Sequence, residues 1–318
     1  MKTKTRTDSW TERLTERLTE QLMSAVMPLL PKDDLSYWVG RLMHQPLPGA
    51  LRIESMRAFA KTYNIDLTEA EKPLEDYASI GDLFTRKLKE DVRPLGAGLV
   101  HPCDAKIAEA GSIRNSKITQ VKGIDYPVPA LLQSDEMASR FTGGTFVTYY
   151  LCPTDYHRVH TPLDLSVEWV SHIPGAFWPV NSWSVRNVPQ LYTLNERVAM
   201  VFRTSEGESL ALVMVAATNV GSISISFDDR IKTEVRPKGR KKTEYSYGGD
   251  TFDSVKGPKV ASHEPLHLKK GDEVGVFSMG SSVVMLLDKN LAARFSLSDN
   301  ALHATFDRAV KLGRTIKP

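Results

Sequence analysis

Cysteine is nearly absent from this chain: Cys103 and Cys152 are the two in 318 residues. No disulfide scaffold rests on them, and their spacing matches no zinc motif. Long apolar runs are missing too. The longest, such as Leu210–Ala217, reach about half of what a membrane-spanning helix needs. Charge imbalance is small, a formal +3 from 41 basic and 38 acidic residues, which argues against a nucleic-acid partner. The opening stretch MKTKTRTDSWTERLTERLTEQL is too polar for the core of a secretory signal. No long repeat or low-complexity tract occurs. What is there is average globular composition, 41% hydrophobic and 25% charged, long enough for one large domain or two ordinary ones. The expectation is a protein kept inside the cell that does not cross a bilayer.

The first third reads as helical. Leu14, Leu18, Leu22 and Val26 form an apolar stripe on a helix that Pro28 and Pro31 end. A second segment, Leu35–Met43, carries Tyr37, Trp38, Val39, Leu42 and Met43. That stripe fits either a bilayer surface or an ordinary packed helix. Ser55–Asn64 is helical by pattern. Asp66–Leu88 carries helix-start signals, with Ser79 and Asp82 spaced like a capping box. The texture changes near residue 98. Strand-like runs follow at Lys106–Ala110, Lys117–Val121, Thr145–Leu151, Leu165–His172, Ala199–Arg203, Leu210–Ala217, Ser222–Ser226, Glu273–Phe277 and Ser282–Leu287. Their spacing predicts mixed or antiparallel sheet and not alternating βαβ units. The fold expectation is α+β: a helical, membrane-contacting region over 1–97 and a β-rich catalytic domain over 98–318. Arg230–Lys242 holds seven basic residues and one acid; it suits a solvated loop or a contact with anionic lipid equally well.

Three short stretches carry candidate chemistry. In His101-Pro102-Cys103-Asp104, the aspartate is a turn residue or the orienter of a histidine. In Asp155-Tyr156-His157-Arg158-Val159-His160, two histidines three apart suit acid–base work at neutral pH. A metal pair is the lesser alternative, because no cysteine pair or HExxH glutamate accompanies them. In Met279-Gly280-Ser281-Ser282, a serine follows a glycine between two strand-like runs. Its hydroxyl can curl back onto the glycine carbonyl, the geometry of self-cleavage by acyl shift; a plain β-turn serine is the alternative. No G-x-S-x-G surrounds Ser281, so a nucleophile elbow is not supported.

Together these stretches resemble the pyruvoyl-dependent bacterial phosphatidylserine decarboxylases. The resemblance runs from about Leu67 to Leu287. It includes LTEAEKPLEDYASIGDLFTRKLKEDVRPL, HPCDAKI, GGTFVTYYLCPTDYHRVHTP, IPGAFWPVN, NVPQLYTLNERV and the terminal MGSS. The family's processing motif is usually Leu-Gly-Ser-Thr; here it reads Met279-Gly280-Ser281-Ser282, with the Gly-Ser bond kept.

The resemblance implies a zymogen that makes its own cofactor. Ser281 would attack the Gly280 carbonyl, with His160 as base and Asp104 as its orienter. The products would be a β chain, 1–280, and an α chain, 281–318, capped by a covalent pyruvoyl group formed from Ser281. The two chains would stay together as a heterodimer, with a higher oligomer open. The pyruvoyl would take the amine of phosphatidylserine as a Schiff base and serve as electron sink for loss of carbon dioxide. His157 would position the substrate carboxylate or assist protonation. Neither a metal nor PLP is expected, and no lysine sits in a PLP-like context. A substrate with two acyl chains implies peripheral docking on the cytoplasmic side of the cell membrane, through the N-terminal helices, to which 230–242 could add. Two competitors remain from the residues themselves. Leu268–Phe277 resembles the hairpin entry of a biotinyl or lipoyl carrier but lacks the acceptor lysine. A serine hydrolase could use the same Asp104, His160 and Ser281 on an external ester.

Overall fold

The computed structural model describes residues 38, 40–120, 124–180, 182–217, 222–233, 241–247, 259–262, 265–278, 281–297 and 307–317. The predicted stripe Leu14–Val26 lies outside the described residues, as do 234–240 of the basic stretch and the pair Met279-Gly280. Among the described residues the chain is α+β, with short helices around a β-rich body.

Helix α1 spans Gly49–Thr62. It begins six residues before the predicted Ser55, because Pro48 leads in with an extended backbone and no side chain caps the start. The predicted Asp66–Leu88 helix breaks into two 3₁₀ turns and helix α2, Ile80–Phe84. Ser79 caps α2 by accepting the Asp82 amide at 3.1 Å, while Asp82 reaches back to accept the Ala78 amide at 2.9 Å. This is a capping box displaced by one residue at its return bond. Met56, Ala60, Ile65, Tyr77 and Leu83 form a small core for this region.

The body contains β1 (Ala105–Ser112), β2 (Lys117–Gln120), β3 (Ile124–Pro127), β4 (Thr145–Leu151), β5 (Arg158–His160), β6 (Leu165–Ile173), β7 (Arg197–Arg203) and β8 (Ser209–Ala216). It continues with β9 (Ile223–Ile225), β10 (Thr243–Tyr247), β11 (Lys259–Ser262), β12 (Leu266–Leu268), β13 (Glu273–Phe277), β14 (Ser281–Leu287) and β15 (Ala309–Val310). Among the described residues, ten strands form one sheet in the order β11-β10-β6-β7-β8-β14-β4-β1-β15, with β12 on β6. Its pairings are antiparallel except β10 with β11. A second sheet runs β5-β13-β9.

Strand β14 sits centrally, between β4 and β8. All seven of its residues are buried, and so are all eight of β8. Continuous apolar runs such as VVMLL and LALVMVA make this possible, since both faces of such strands must be covered. Burying five large apolar side chains in β14 contributes on the order of 10 kcal/mol before chain entropy. That is ample to keep β14 in the sheet if the backbone before it is cut.

Candidate active site

Ser281 opens β14, opposite Leu151 of β4 and Ala216 of β8. It is fully buried, and its Oγ has no hydrogen-bond partner among the described residues. A buried unpaired hydroxyl costs about 1–3 kcal/mol, so this position is held against a penalty. The wall at Ala216 is fixed by NERV. Asn195 donates to the Ala216 and Trp178 carbonyls, both at 2.8 Å, and accepts the Trp178 amide at 2.9 Å. Arg197 of the same motif is buried and donates to the carbonyls of Leu131, Thr193, Asn195 and Ala130 at 2.7–2.9 Å.

Strand β13 delivers the chain to residues 278–280 and pairs with β5, so the DYHRVH stretch runs alongside it. The Phe277 amide donates to the His157 carbonyl at 3.0 Å, whereas His160 pairs with Glu273 at the far end. By register His157 therefore lies at the C-terminal end of β13 and His160 at its start.

Both imidazoles are in tautomers set by main-chain carbonyls. His157 Nδ1 donates to the Asp155 carbonyl at 2.9 Å. Its Nε2 is thus an acceptor, and it is buried with no partner among the described residues. The ring lies on Phe84 of α2 at 3.9 Å between centroids. Burial lowers the His157 pKa to about 3, so it is a neutral base at physiological pH. His160 Nδ1 donates to the Gly271 carbonyl at 2.8 Å, and its Nε2 accepts from the Tyr156 hydroxyl at 3.2 Å. Burial lowers its pKa as well, against the opposing pull of the Gly271 carbonyl. Gly271 has φ of +89° in the Lys269–Asp272 turn, a conformation that favours glycine. That turn is the carrier-like hairpin entry of the sequence; here its carbonyl orients His160.

Asp104 is not brought into hydrogen bonding with His160. Its buried carboxylate accepts from Arg93 (2.7 and 3.0 Å), from Lys311 Nζ at 2.9 Å and from the Leu312 amide at 2.8 Å. Burial acts to raise this carboxyl, but the bonds from Arg93 and Lys311 outweigh it and hold the pKa below the ordinary value. Asp104 therefore fastens the C-terminal segment to the body. Its charge still favours protonated His160 and His157 through space. Tyr156, the hydrogen-bond partner of His160, lies within DYHRVH but carries no local signal of that contact.

Two clefts flank the segment. One of about 500 Å³ is lined by His44, Arg158, Ser222, Ser224, Lys232 and Ser278. The other, about 350 Å³, includes Tyr150, Cys152, Val180 and Tyr192. Among the described residues, no three His, Cys, Asp or Glu side chains cluster as a metal site.

The buried histidines set an acid limit on stability. His101, buried with Nδ1 3.0 Å from the Tyr149 hydroxyl, is lowered to about 4. Both His101 and His157 start from 6.5. An unfolded chain binds these protons first as pH falls, so the folded state loses stability below pH 6.5 by about 1.4 kcal/mol per pH unit per histidine. Denaturant midpoints measured from pH 7 to 5 should fall accordingly; a flat profile would contradict the burial of both rings.

Known proteins resemble this chain over most of its length. The family model for phosphatidylserine decarboxylase matches residues 80–317. The phosphatidylserine decarboxylase proenzyme of Anaeromyxobacter sp. (strain K) is 38% identical over 83% of this chain and 88% of its own length. That of Myxococcus xanthus (strain DK1622) is 37% identical over 92% and 96%. That of Shewanella baltica (strain OS155 / ATCC BAA-1091) is 39% identical over 86% and 89%. The matched span takes in α2, both histidines and the whole of β14, and on that ground the chain belongs to the phosphatidylserine decarboxylase family.

Proposed function

We propose that this protein cleaves itself between Gly280 and Ser281 and then decarboxylates phosphatidylserine to phosphatidylethanolamine and carbon dioxide. The observation that carries the reading is Ser281: a buried nucleophile at the head of a central strand, with no hydrogen-bond partner among the described residues.

In the self-cleavage step Ser281 Oγ attacks the Gly280 carbonyl and the amide nitrogen of Ser281 leaves, giving an ester. His160 takes the hydroxyl proton, through or after displacement of the Tyr156 hydroxyl from its Nε2, and returns it to the nitrogen. The Gly271 carbonyl stabilises the imidazolium that forms, and Asp104 adds its field without touching the ring. Elimination then expels the Gly280 carboxylate and leaves dehydroalanine, whose hydrolysis releases ammonia and leaves a pyruvoyl group. Ser281 fits that group, since the position is buried and β14 is held on both edges. When formed, the pyruvoyl supplies the electron sink for decarboxylation. His157, whose Nε2 has no partner among the described residues, would move the proton that replaces the departing carboxylate. The two chains stay joined through β14 and through Asp104 bound to Lys311 and Leu312.

The most exposed large apolar residues among those described are Trp38, Leu42 and Leu51, at 60–68% exposure. They support peripheral docking of the N-terminal region on the cytoplasmic face of the membrane. No helix among the described residues is long and apolar enough to cross a bilayer. Within the basic stretch, Arg230 pairs with Asp228 and Lys242 with Glu244, so those two cations are already neutralised. Removing residues 1–43 leaves His44, whose ring packs on Gly81. This truncation should shift the protein from membrane to soluble fraction and reduce turnover of bilayer substrate more than of a short-chain soluble analogue. Equal loss on both would assign the segment to folding. The function itself is tested by incubating purified protein with phosphatidylserine in mixed micelles and measuring carbon dioxide and phosphatidylethanolamine in equal amounts. A processed protein that releases neither would refute it.

A further inference from the structure

Among the described residues, the buried and half-buried arginines fall into two kinds. Arg197 meets carbonyls in four hydrogen bonds, Arg93 meets two carboxylates, and Arg158 meets Glu273 and the Thr85 carbonyl. Arg86 differs. It is 4% exposed, yet its Nε and Nη1 have no hydrogen-bond partner among the described residues. Its Nη2 alone reaches a carbonyl, that of Thr154, at a long 3.3 Å. A buried guanidinium carrying free donors is costly unless an anion completes it.

Its position says which anion. Phe84, Thr85 and Arg86 are consecutive and meet, in turn, the His157 ring, the Arg158 guanidinium and the Thr154 carbonyl. Thr154 follows three residues after Leu151, the register partner of Ser281. The orphaned donors of Arg86 and the orphaned Nε2 of His157 thus lie on two stretches in contact with each other, 84–86 and 154–157, and the positive charge of Arg86 is felt at His157. Ser281 is fully buried too, so a head group must leave the surface to reach the reacting atoms.

We propose that Arg86 receives the phosphodiester of the lipid head group through Nε and Nη1, fixing the serine moiety between Ser281 and His157. This rests on the decarboxylase reading. The planar fork of a guanidinium suits two oxygens of a phosphate. The carboxylate is the weaker choice. A cation bound to the group that departs would stabilise the ground state more than the transition state and slow the reaction.

The test uses full-length Arg86→Gln and Arg86→Lys, with activity normalised to processed chain. Phosphatidylethanolamine keeps the phosphodiester and lacks the carboxylate, so it serves as the competing probe. Arg86→Gln should raise KM for phosphatidylserine and the inhibition constant of phosphatidylethanolamine together, by about 10- to 100-fold, the range for loss of a charged hydrogen bond. Arg86→Lys, which keeps charge but loses the fork, should fall between. A raised KM with unchanged inhibition by phosphatidylethanolamine would overturn the assignment in favour of the carboxylate. Unchanged values for both, or variants that remain uncleaved, would overturn it in favour of a structural or self-cleavage role. Wild-type protein that processes but never decarboxylates phosphatidylserine would instead fail the underlying reading, before any variant is compared.

Discussion

Ser281→Ala gives a protein that is never cleaved and never releases carbon dioxide. The substitution removes nucleophile and cofactor precursor in one atom, so no residual pathway through this site remains. It also removes a buried hydroxyl that has no partner among the described residues. The variant should therefore be as stable as the parent or slightly more so. Gel mobility, carbon dioxide release and a thermal midpoint on one sample separate loss of chemistry from loss of fold. Two chains from Ser281→Ala, or turnover by it, would refute the assignment.

The second large effect divides the histidines. His157→Ala should leave cleavage largely intact and slow decarboxylation by about 10²–10⁴-fold, the usual contribution of a general acid–base group. Because His157 is fully buried, truncation to alanine also opens a cavity. His157→Asn is the cleaner variant: its amide can still donate to the Asp155 carbonyl while the Nε2 base is gone. His160→Ala should instead impair cleavage. The register places His157 beside Phe277, at the end of β13 that leads to the cut, and His160 at its other end. Uncleaved His157→Asn with cleaved His160→Ala would exchange the two roles.

Much of the body was legible in the residues, because buried strands write themselves as unbroken β-branched and aliphatic runs. Thr145–Leu151 and Glu273–Phe277 coincide with β4 and β13, and Ser282–Leu287 differs from β14 by one residue. Strand β5 is absent from the predicted runs, since its residues RVH carry a single apolar side chain and it exists by pairing with β13. Ser281, His157 and His160 stood out by type and spacing. Their partners did not. Gly271 orients His160 from 111 residues away, and Lys311 meets Asp104 from 207 away. Such pairings belong to the topology and leave no local pattern. Arg86 stands in TRKLKE, where no local pattern marks it as buried. Only the packing of α2 on the 152–157 loop buries it.

The central claim is that Ser281 becomes the cofactor, and the intact mass of the smallest chain tests it most directly. The account predicts a fragment spanning 281–318 that is one ammonia lighter than the peptide beginning with an ordinary serine. A fragment retaining that serine would mean simple hydrolysis. An undivided chain of 35.5 kDa that still turns over an ester would mean a serine hydrolase; either result would contradict the account.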